Sequence, residues 1–383
     1  MGKKKSISIL GSTGSVGVNS LDVIKNINAN IVALSANENI SLLEQQINIF
    51  KPKIVAIYNE EKAEELKKRI TSVKIVSGVQ GLVEIATIDE VNFVISAISG
   101  AMGLIPTIAA INAGKNIGLA NKETLVCAGE YILKLLHKNN VYILPIDSEH
   151  NAIFQCLRKE KKEDVKRLVL TASGGPFFKK SSFNNVTLEE ALNHPTYKMG
   201  KKISVDSSTL MNKGLEIIEA HFLFDMPLER IDAVIHPQSF IHSFIELVDG
   251  SLLAQMSNPD MRIPIQYALT YPRRKKGFNS FDFTKYAQLE FFPIDEKKFK
   301  CFQLAKYALK MKKSYPCYLN AANEVVVESF LRKEIPWIAI GDILEKLIAS
   351  HSPKDMVNLE DILAVDNIAR KDAKHKILNY RGE

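Results

Sequence analysis

The chain is poor in tryptophan and in cysteine. One tryptophan, Trp337, and four cysteines stand among its 383 residues. Cys127, Cys156, Cys301 and Cys317 show no CxxC spacing. That pattern argues against a disulfide framework and a zinc site and suits a reducing cytosol, so a cytoplasmic location is expected. No apolar run approaches the roughly 20 residues that cross a bilayer. The apolar part of MGKKKSISIL is also too short for a secretory signal, so no membrane partner is expected. Basic residues form no long stripe with interleaved aromatics, which removes the footprint of a nucleic-acid binder.

What remains is the composition of a soluble globular enzyme, with 46% hydrophobic and 24% charged residues. A net charge of +7 favours anionic ligands such as phosphates, although a lysine-rich composition alone gives the same sum. The length exceeds one ordinary core, so two or three domains are expected.

Residues 5–147 alternate short apolar runs with amphipathic stretches: SISIL (6–10), IVALSA (31–36), KIVAIY (53–58), VKIVSG (73–78), VNFVISAI (91–98), NIGLA (116–120) and VYILPID (141–147). This is the βαβ signature of a parallel, doubly wound sheet. Between 150 and 270 the strand-like runs 231–237, 240–248 and 251–257 are closely spaced, and Asp249-Gly250 is a hairpin signal. With helical patterns at 213–224 and 260–269, this predicts an α+β domain with a mostly antiparallel sheet. Residues 271–299 lack periodicity and read as a connection. From 300 onward the pattern is helical, and a small bundle is expected. The fold class is therefore α/β: an N-terminal Rossmann-like doubly wound parallel sheet, a central α+β domain and a C-terminal helical bundle.

The run SISILGSTGSVGVNSLDVI places Gly11, Gly14 and Gly17 between the first strand and the first helix. Such a turn lets backbone amides approach a pyrophosphate. The spacing is GxxGxxG, and a purely structural turn with Ser15 capping the helix is the alternative. The second strand ends in SANENI, where Glu38 occupies the place that reads the ribose; taken alone, an acid there favours NAD over NADP.

Asp147 and Glu149 follow the seventh strand, where ligands of open parallel sheets bind. Two anions about 4 Å apart repel by roughly 4 kcal/mol at an effective dielectric near 20, so a cation is a natural companion. On an extended segment both would point to one side, with Ser148 facing away; helix N-capping is the alternative. ISVDSSTLMNKGLEIIEAHF crowds Ser207, Ser208, Thr209, Asn212 and Lys213 before a helix, a composition suited to a phosphate. Glu216 lies one helical turn after Lys213, on the same face. TASGGPFF (171–178) offers Ser173 beside two glycines. HPTYKMGKKI (194–203) has the character of a flap, or of an ordinary surface loop. NKET (121–124) places Lys122 at a helix start. His150, His194, His236 and His242 also fit structural roles.

In order, GSTGSVG, LANKET, LPIDSEHNAIFQCL, ASGGPF, HPTYKMGKKISVDSSTLMNKGLE, HPQSFIHS and LNAANE (319–324) make the chain resemble the 1-deoxy-D-xylulose 5-phosphate reductoisomerases from Ser6 to the C-terminal helices. The resemblance implies a homodimeric, NADPH-dependent enzyme of non-mevalonate isoprenoid synthesis. It would convert a phosphosugar, 1-deoxy-D-xylulose 5-phosphate, to 2-C-methyl-D-erythritol 4-phosphate. It implies Mg²⁺, Mn²⁺ or Co²⁺ on Asp147, Glu149 and Glu216. Ser173, Ser207, Asn212 and Lys213 would grip the phosphate; Ser148 and Lys122 would touch sugar oxygens; His194 would belong to the flap. Glu149 and Glu216 would also face the substrate, and Lys122, Glu149 and His194 would be catalytic. Thr13, Gly14, Ser15, Val16, Asn37, Asn39, Asn121, Glu123 and Gly200 would meet the cofactor. The domains implied are 1–148 for NADPH, 149–272 for metal, substrate and catalysis, 273–299 as connector and 300–383 as the helical domain.

Two positions depart from the family pattern. Glu38 stands where a basic residue is common, and Tyr197 replaces the usual flap tryptophan. Other readings are a different NAD(P)-dependent dehydrogenase, a metal-dependent phosphosugar aldolase or isomerase, or a nucleotide-sensing regulator without catalysis.

Overall fold

The computed structural model describes residues 5–183, 185–197, 199–285 and 288–382. They form two compact units, one from residues 5–124, 132–151 and 260–279, the other from 125–131, 152–259 and 280–382. In chain order the elements are β1 (Lys5–Leu10), α1 (Ser15–Lys25), β2 (Ala29–Ala36), α2 (Ile40–Phe50), β3 (Ile54–Ile57), α3 (Glu60–Lys67), β4 (Lys74–Ser77), α4 (Gly78–Thr87), β5 (Phe93–Ser96), α5 (Leu104–Asn112), β6 (Asn116–Leu119), α6 (Lys122–Asn139), β7 (Ile143–Pro145) and α7 (Ser148–Cys156). There follow β8 (Val165–Ala172), α8 (Leu188–Leu192), α9 (Lys201–Ser208), α10 (Met211–Phe224), β9 (Ile231–Ile235), β10 (Ile241–Leu247), β11 (Leu252–Met256), α11 (Arg262–Thr270) and β12 (Phe292–Pro293). The chain ends in α12 (Lys300–Met311), α13 (Tyr315–Leu331), α14 (Trp337–Ser350) and α15 (Leu359–Gly382).

The first unit is built on a seven-stranded sheet of order β4-β3-β2-β1-β5-β6-β7. Every strand pair in it is parallel. All seven strands lie where the apolar runs put them. Strands β3 and β5 are buried throughout, as expected for a parallel sheet covered on both faces. The strand order reverses between β1 and β5, so the loops after these strands open a crevice at their carboxyl ends.

The glycine turn after β1 is sterically determined. Gly11 has φ +89°, and a Cβ on Gly17 would sit 2.3 Å from the Gly11 carbonyl oxygen. Gly14 differs: its φ is −78°, and its nearest neighbour would be 3.5 Å away. Gly14 is the N-cap of α1 and Ser15 opens the helix without capping it.

Helix α11, which chain order places in the middle segment, packs on α1 of the first unit. The Arg262 guanidinium reaches Asp22 at 3.0 Å, and Lys5 Nζ donates to the Ala268 carbonyl at 3.2 Å. Its buried side chains Ile265, Tyr267 and Leu269 supply the apolar face.

The second unit carries a five-stranded sheet of order β11-β10-β8-β9-β12. Only β8–β9 is parallel, so the sheet is mostly antiparallel as expected. The β10–β11 hairpin turns at Asp249-Gly250, with Gly250 at φ +87°. Strand β8 is one that the sequence pattern did not single out. Its interior, LVLTA, is buried continuously, and a short apolar run without alternation does not distinguish strand from helix. The connecting stretch contributes β12, which pairs with β9 through Phe292 and Ile235. Helices α12 to α15 form the C-terminal bundle. Among the described residues no helix is long and apolar enough to cross a membrane.

The two glycines should therefore respond differently to one added methyl. Gly17→Ala is expected to lower the melting temperature by about 5 °C or more, since overpacking costs roughly 1–3 kcal/mol. Gly14→Ala should leave it unchanged. Thermal unfolding followed by circular dichroism checks this; equal melting temperatures for both variants would contradict the steric reading.

Candidate active site

In the first unit, the turn after β1 presents Thr13, Gly14, Ser15 and Val16 at the N-terminus of α1, with Gly14 and Ser15 exposed. Orphan amides at such a helix start, together with the helix dipole, favour an anion. A residue that sequence reasoning missed fixes this turn. Gln46 on α2 is 4% exposed, and its Nε2 donates to the Ser12 carbonyl at 2.9 Å. The Ser12 hydroxyl reaches Gln46 Oε1 at 2.6 Å, and the Gly11 amide donates to Ser35 Oγ at 2.8 Å. The available signal was a glutamine on the apolar face of ISLLEQQINIF.

At the end of β2, Asn37 and Glu38 are exposed, and Asn39 caps α2 by accepting the Leu42 amide at 3.1 Å. Glu38 Oε1 accepts from Asn59 Nδ2 at 3.5 Å. Asn121 caps α6, its Oδ1 accepting the Thr124 amide at 3.1 Å. Its Nδ2 donates to the Gly100 carbonyl at 2.9 Å and to the Ile98 carbonyl. Asn121 thus ties the loop after β5 to the start of α6, where Lys122 and Glu123 are buried.

Lys122 Nζ lies 2.7 Å from Asp147 Oδ2, with side chains 7% and 15% exposed. A buried ammonium therefore partners the first of the two acids after β7. The extended arrangement expected for residues 147–149 is not what forms. Helix α7 begins at Ser148, so Glu149 stands in its first turn. Ser148 does not face away; its hydroxyl donates to Glu149 Oε2 at 2.6 Å. The switch from strand to helix at Asp147 rotates the next two side chains, which strand alternation could not anticipate.

The second unit gathers the donor-rich segments. Ser207 and Ser208 end α9, Leu210 takes φ +57°, and Asn212 and Lys213 stand in the first turn of α10. Glu216 is 1% exposed; Asn212 Nδ2 donates to its Oε1 at 2.6 Å and Lys213 Nζ pairs with its Oε2. The shared helical face expected for Lys213 and Glu216 is present. The loop after β8 lies on the last turn of α9: a Cβ on Gly175 would meet the Ser207 carbonyl oxygen at 2.5 Å. That close approach sets Ser173, two residues away, beside the end of α9.

Ser173 Oγ is 2.8 Å from His194 Nε2. The amides of Thr196 and Tyr197 both donate to His194 Nδ1, at 3.1 and 3.0 Å. Nδ1 is thus an acceptor, so the proton of the neutral ring sits on Nε2 and is given to Ser173. Burial pushes the ring down to about 4. Tyr197 stacks obliquely on this imidazole, with centroids 5.4 Å apart. Gly200 is the N-cap of α9. His236 and His242 serve the sheet: His236 Nδ1 donates to the Glu290 carbonyl at 2.9 Å, and His242 Nε2 meets Ser257 Oγ at 3.0 Å.

The depressed ring of His194 implies a pH dependence. The unfolded chain binds a proton at this ring below about 6.5, the folded chain only below about 4. The stability it contributes is complete above pH 6.5 and is lost as pH falls toward 4. His194→Gln should therefore flatten the fall in melting temperature between these values. Superimposable profiles for parent and variant would show that the ring is not held neutral.

Three family models match the chain. They are described as 1-deoxy-D-xylulose 5-phosphate reductoisomerase over residues 7–129, its C-terminal domain over 143–224, and DXP reductoisomerase C-terminal domain over 256–372. The reductoisomerase of Protochlamydia amoebophila is 54% identical over 374 residues, covering 96% of this chain and 97% of the relative. That of Thermoanaerobacter pseudethanolicus is 49% identical, with 97% and 98% covered. The solved Zymomonas mobilis enzyme in complex with NADPH superposes with a TM-score of 0.92 at 40% identity, covering 98% of this chain and 99% of that one. A DOX-P reductoisomerase in complex with NADPH, fosmidomycin and magnesium gives 0.93 at 40% identity, covering 97% and 98%. The chain belongs to the 1-deoxy-D-xylulose 5-phosphate reductoisomerase family.

Proposed function

We propose that Asp147, Glu149 and Glu216 hold one divalent cation and that Ser173, Ser207, Asn212 and Lys213 grip a substrate phosphate. The chain is an NADPH- and metal-dependent oxidoreductase that isomerises and reduces 1-deoxy-D-xylulose 5-phosphate to 2-C-methyl-D-erythritol 4-phosphate, a step of non-mevalonate isoprenoid synthesis. The observation that carries the site assignment is Glu216, a carboxylate 1% exposed and matched by an amide and an ammonium that also suit a phosphate. An all-carboxylate donor set fits a hard cation such as Mg²⁺, with Mn²⁺ or Co²⁺ as the other candidates. Lys122 lies beside Asp147 and Lys213 beside Glu216, so each of these acids has a cationic neighbour.

When bound, the cation supplies Lewis-acid polarisation of substrate oxygens and the nicotinamide supplies hydride. This chain's residues do the rest. Thr13, Gly14, Ser15 and Val16 aim amides at the cofactor phosphates, and Asn37, Asn39, Asn121, Glu123 and Gly200 complete its contacts. Lys122 and Ser148 hold the sugar oxygens, with Glu149 and Glu216 facing the same ligand. The phosphate grip lies away from the reacting carbons, so its binding energy is available to order the 194–202 flap. His194, neutral and donating from Nε2, ties that flap to Ser173. Closure then excludes water from the aldehyde intermediate.

The finer assignments are a cytoplasmic homodimer and a functional division into residues 1–148, 149–272, 273–299 and 300–383. Four free cysteines support the reducing compartment, and family resemblance supports the dimer and the division. Glu38 is the point of tension, since an acid near the ribose disfavours a 2′-phosphate. Its neighbours Asn37, Asn39 and Asn59 carry amides able to bind that group.

The reading is tested by following NADPH absorbance with 1-deoxy-D-xylulose 5-phosphate and Mg²⁺, with and without chelator. Turnover that ignores the chelator would end the metal assignment. Glu216→Gln is expected to weaken Mn²⁺ binding by at least about tenfold, the loss produced by removing even an outer partner of a ligand. Calorimetric titration measures this, and an unchanged far-ultraviolet spectrum shows the fold intact. Glu38→Lys should lower KM for NADPH severalfold and leave that for NADH unchanged; identical constants for both cofactors would place Glu38 away from the ribose.

A further inference from the structure

Helix α9 has little reason to be helical by itself. It is eight residues long, KKISVDSS, and rich in serine and β-branched residues. Isolated helices of this length and composition are unstable in water. It also buries polar groups densely: Ser204, Asp206 and Ser208 are at most 2% exposed and Ser207 7%. Something outside α9 must hold it.

Two helices of the C-terminal bundle do so, on either side of Ser207. From α13, Asn323 Nδ2 donates to Asp206 Oδ1 at 2.9 Å. From α14, Trp337 Nε1 donates to Ser208 Oγ at 2.8 Å. The other Asp206 oxygen pairs with Lys202 at 2.8 Å, one turn back toward the flap. Both bundle residues are themselves buried, Asn323 completely and Trp337 at 7% exposure. Asparagine is a poor helix former, and Asn323 Oδ1 has no partner among the described residues. An asparagine in the middle of a buried helix, half satisfied, is costly unless its other end is needed. The indole is seated firmly: Phe177 and Phe183 pack around it with centroids 5.4 and 4.7 Å away.

We infer that Asn323 and Trp337 are positioning residues for phosphate binding: they lock Asp206 and Ser208 and thereby aim Ser207, which lies between them. This rests on the assignment of Ser207 to the phosphate grip. It gives the LNAANE segment and the single tryptophan a role in substrate affinity, exerted from the bundle without touching substrate. The bundle also supports the neighbouring helix, where Gly214 of α10 lies against Ala305 of α12.

The test is steady-state kinetics with 1-deoxy-D-xylulose 5-phosphate and NADPH on Ser207→Ala, Asn323→Leu, Trp337→Phe and the exchanged pair Asp206→Asn/Asn323→Asp. Asn323→Leu should raise KM for the phosphosugar about tenfold, the scale of one hydrogen bond to a charged group, with KM for NADPH unchanged. Trp337→Phe keeps the ring packing and loses only the N–H; it should move KM the same way, and it carries the test if Asn323→Leu does not fold. The exchanged pair re-forms the bond in the opposite sense and should return KM toward the parent value. If Ser207→Ala raises KM while Asn323→Leu and Trp337→Phe lower only the melting temperature, the positioning role is wrong and the phosphate assignment stands. If Ser207→Ala leaves KM unchanged, the phosphate assignment of Ser207 fails and the inference falls with it.

Discussion

A carboxylate withdrawn from water must be met by donors, and in this chain that requirement organises the chemistry. Glu216 is met by Asn212 and Lys213 from its own helix, Asp147 by Lys122. Burying such pairs costs desolvation that mutual attraction only partly repays. They are weak evidence for stability; within each unit they match a buried acid with a neighbouring cation or amide. The surrounding architecture keeps these groups aimed and partly dry.

Each unit fixes its own polar segments by a different device. In the first, the parallel sheet brings the loops after β1 and β5 to one edge, and the strand-to-helix switch after β7 delivers two acids. The glycine turn is shaped by contacts too close for any Cβ at Gly17, then clamped by Gln46. In the second, short polar segments are pressed together by packing. Gly175 admits the Ser207 backbone, and His194 joins Ser173 through a tautomer set by two backbone amides.

Much of the fold was legible because its signals are local. Seven apolar runs separated by amphipathic stretches announced the parallel sheet, and Asp249-Gly250 announced the hairpin. Strand β8 was not, because a strand buried on both faces has no alternation to read. The two-residue β12 was hidden in a segment without periodicity. The candidate site was legible as residue types: hydroxyl, amide and ammonium groups clustered around the start of α10, acids after β7. Its supports were not. Gln46, Asp206, Asn323 and Trp337 look like ordinary helix residues until their partners are known.

The sequence by itself determined the order of strands and helices, the glycine turn, and which polar side chains lie close along the chain. Hydrophobic period and steric freedom act over a few residues, so they are written locally. Tertiary structure alone decided that α11 returns to the first unit and that Ser148 turns toward Glu149. It also decided that Asp206 meets Asn323 across 117 positions. Such pairings arise from burial, where a polar group must find a donor or acceptor in whatever element packs against it. No local pattern encodes which element that will be.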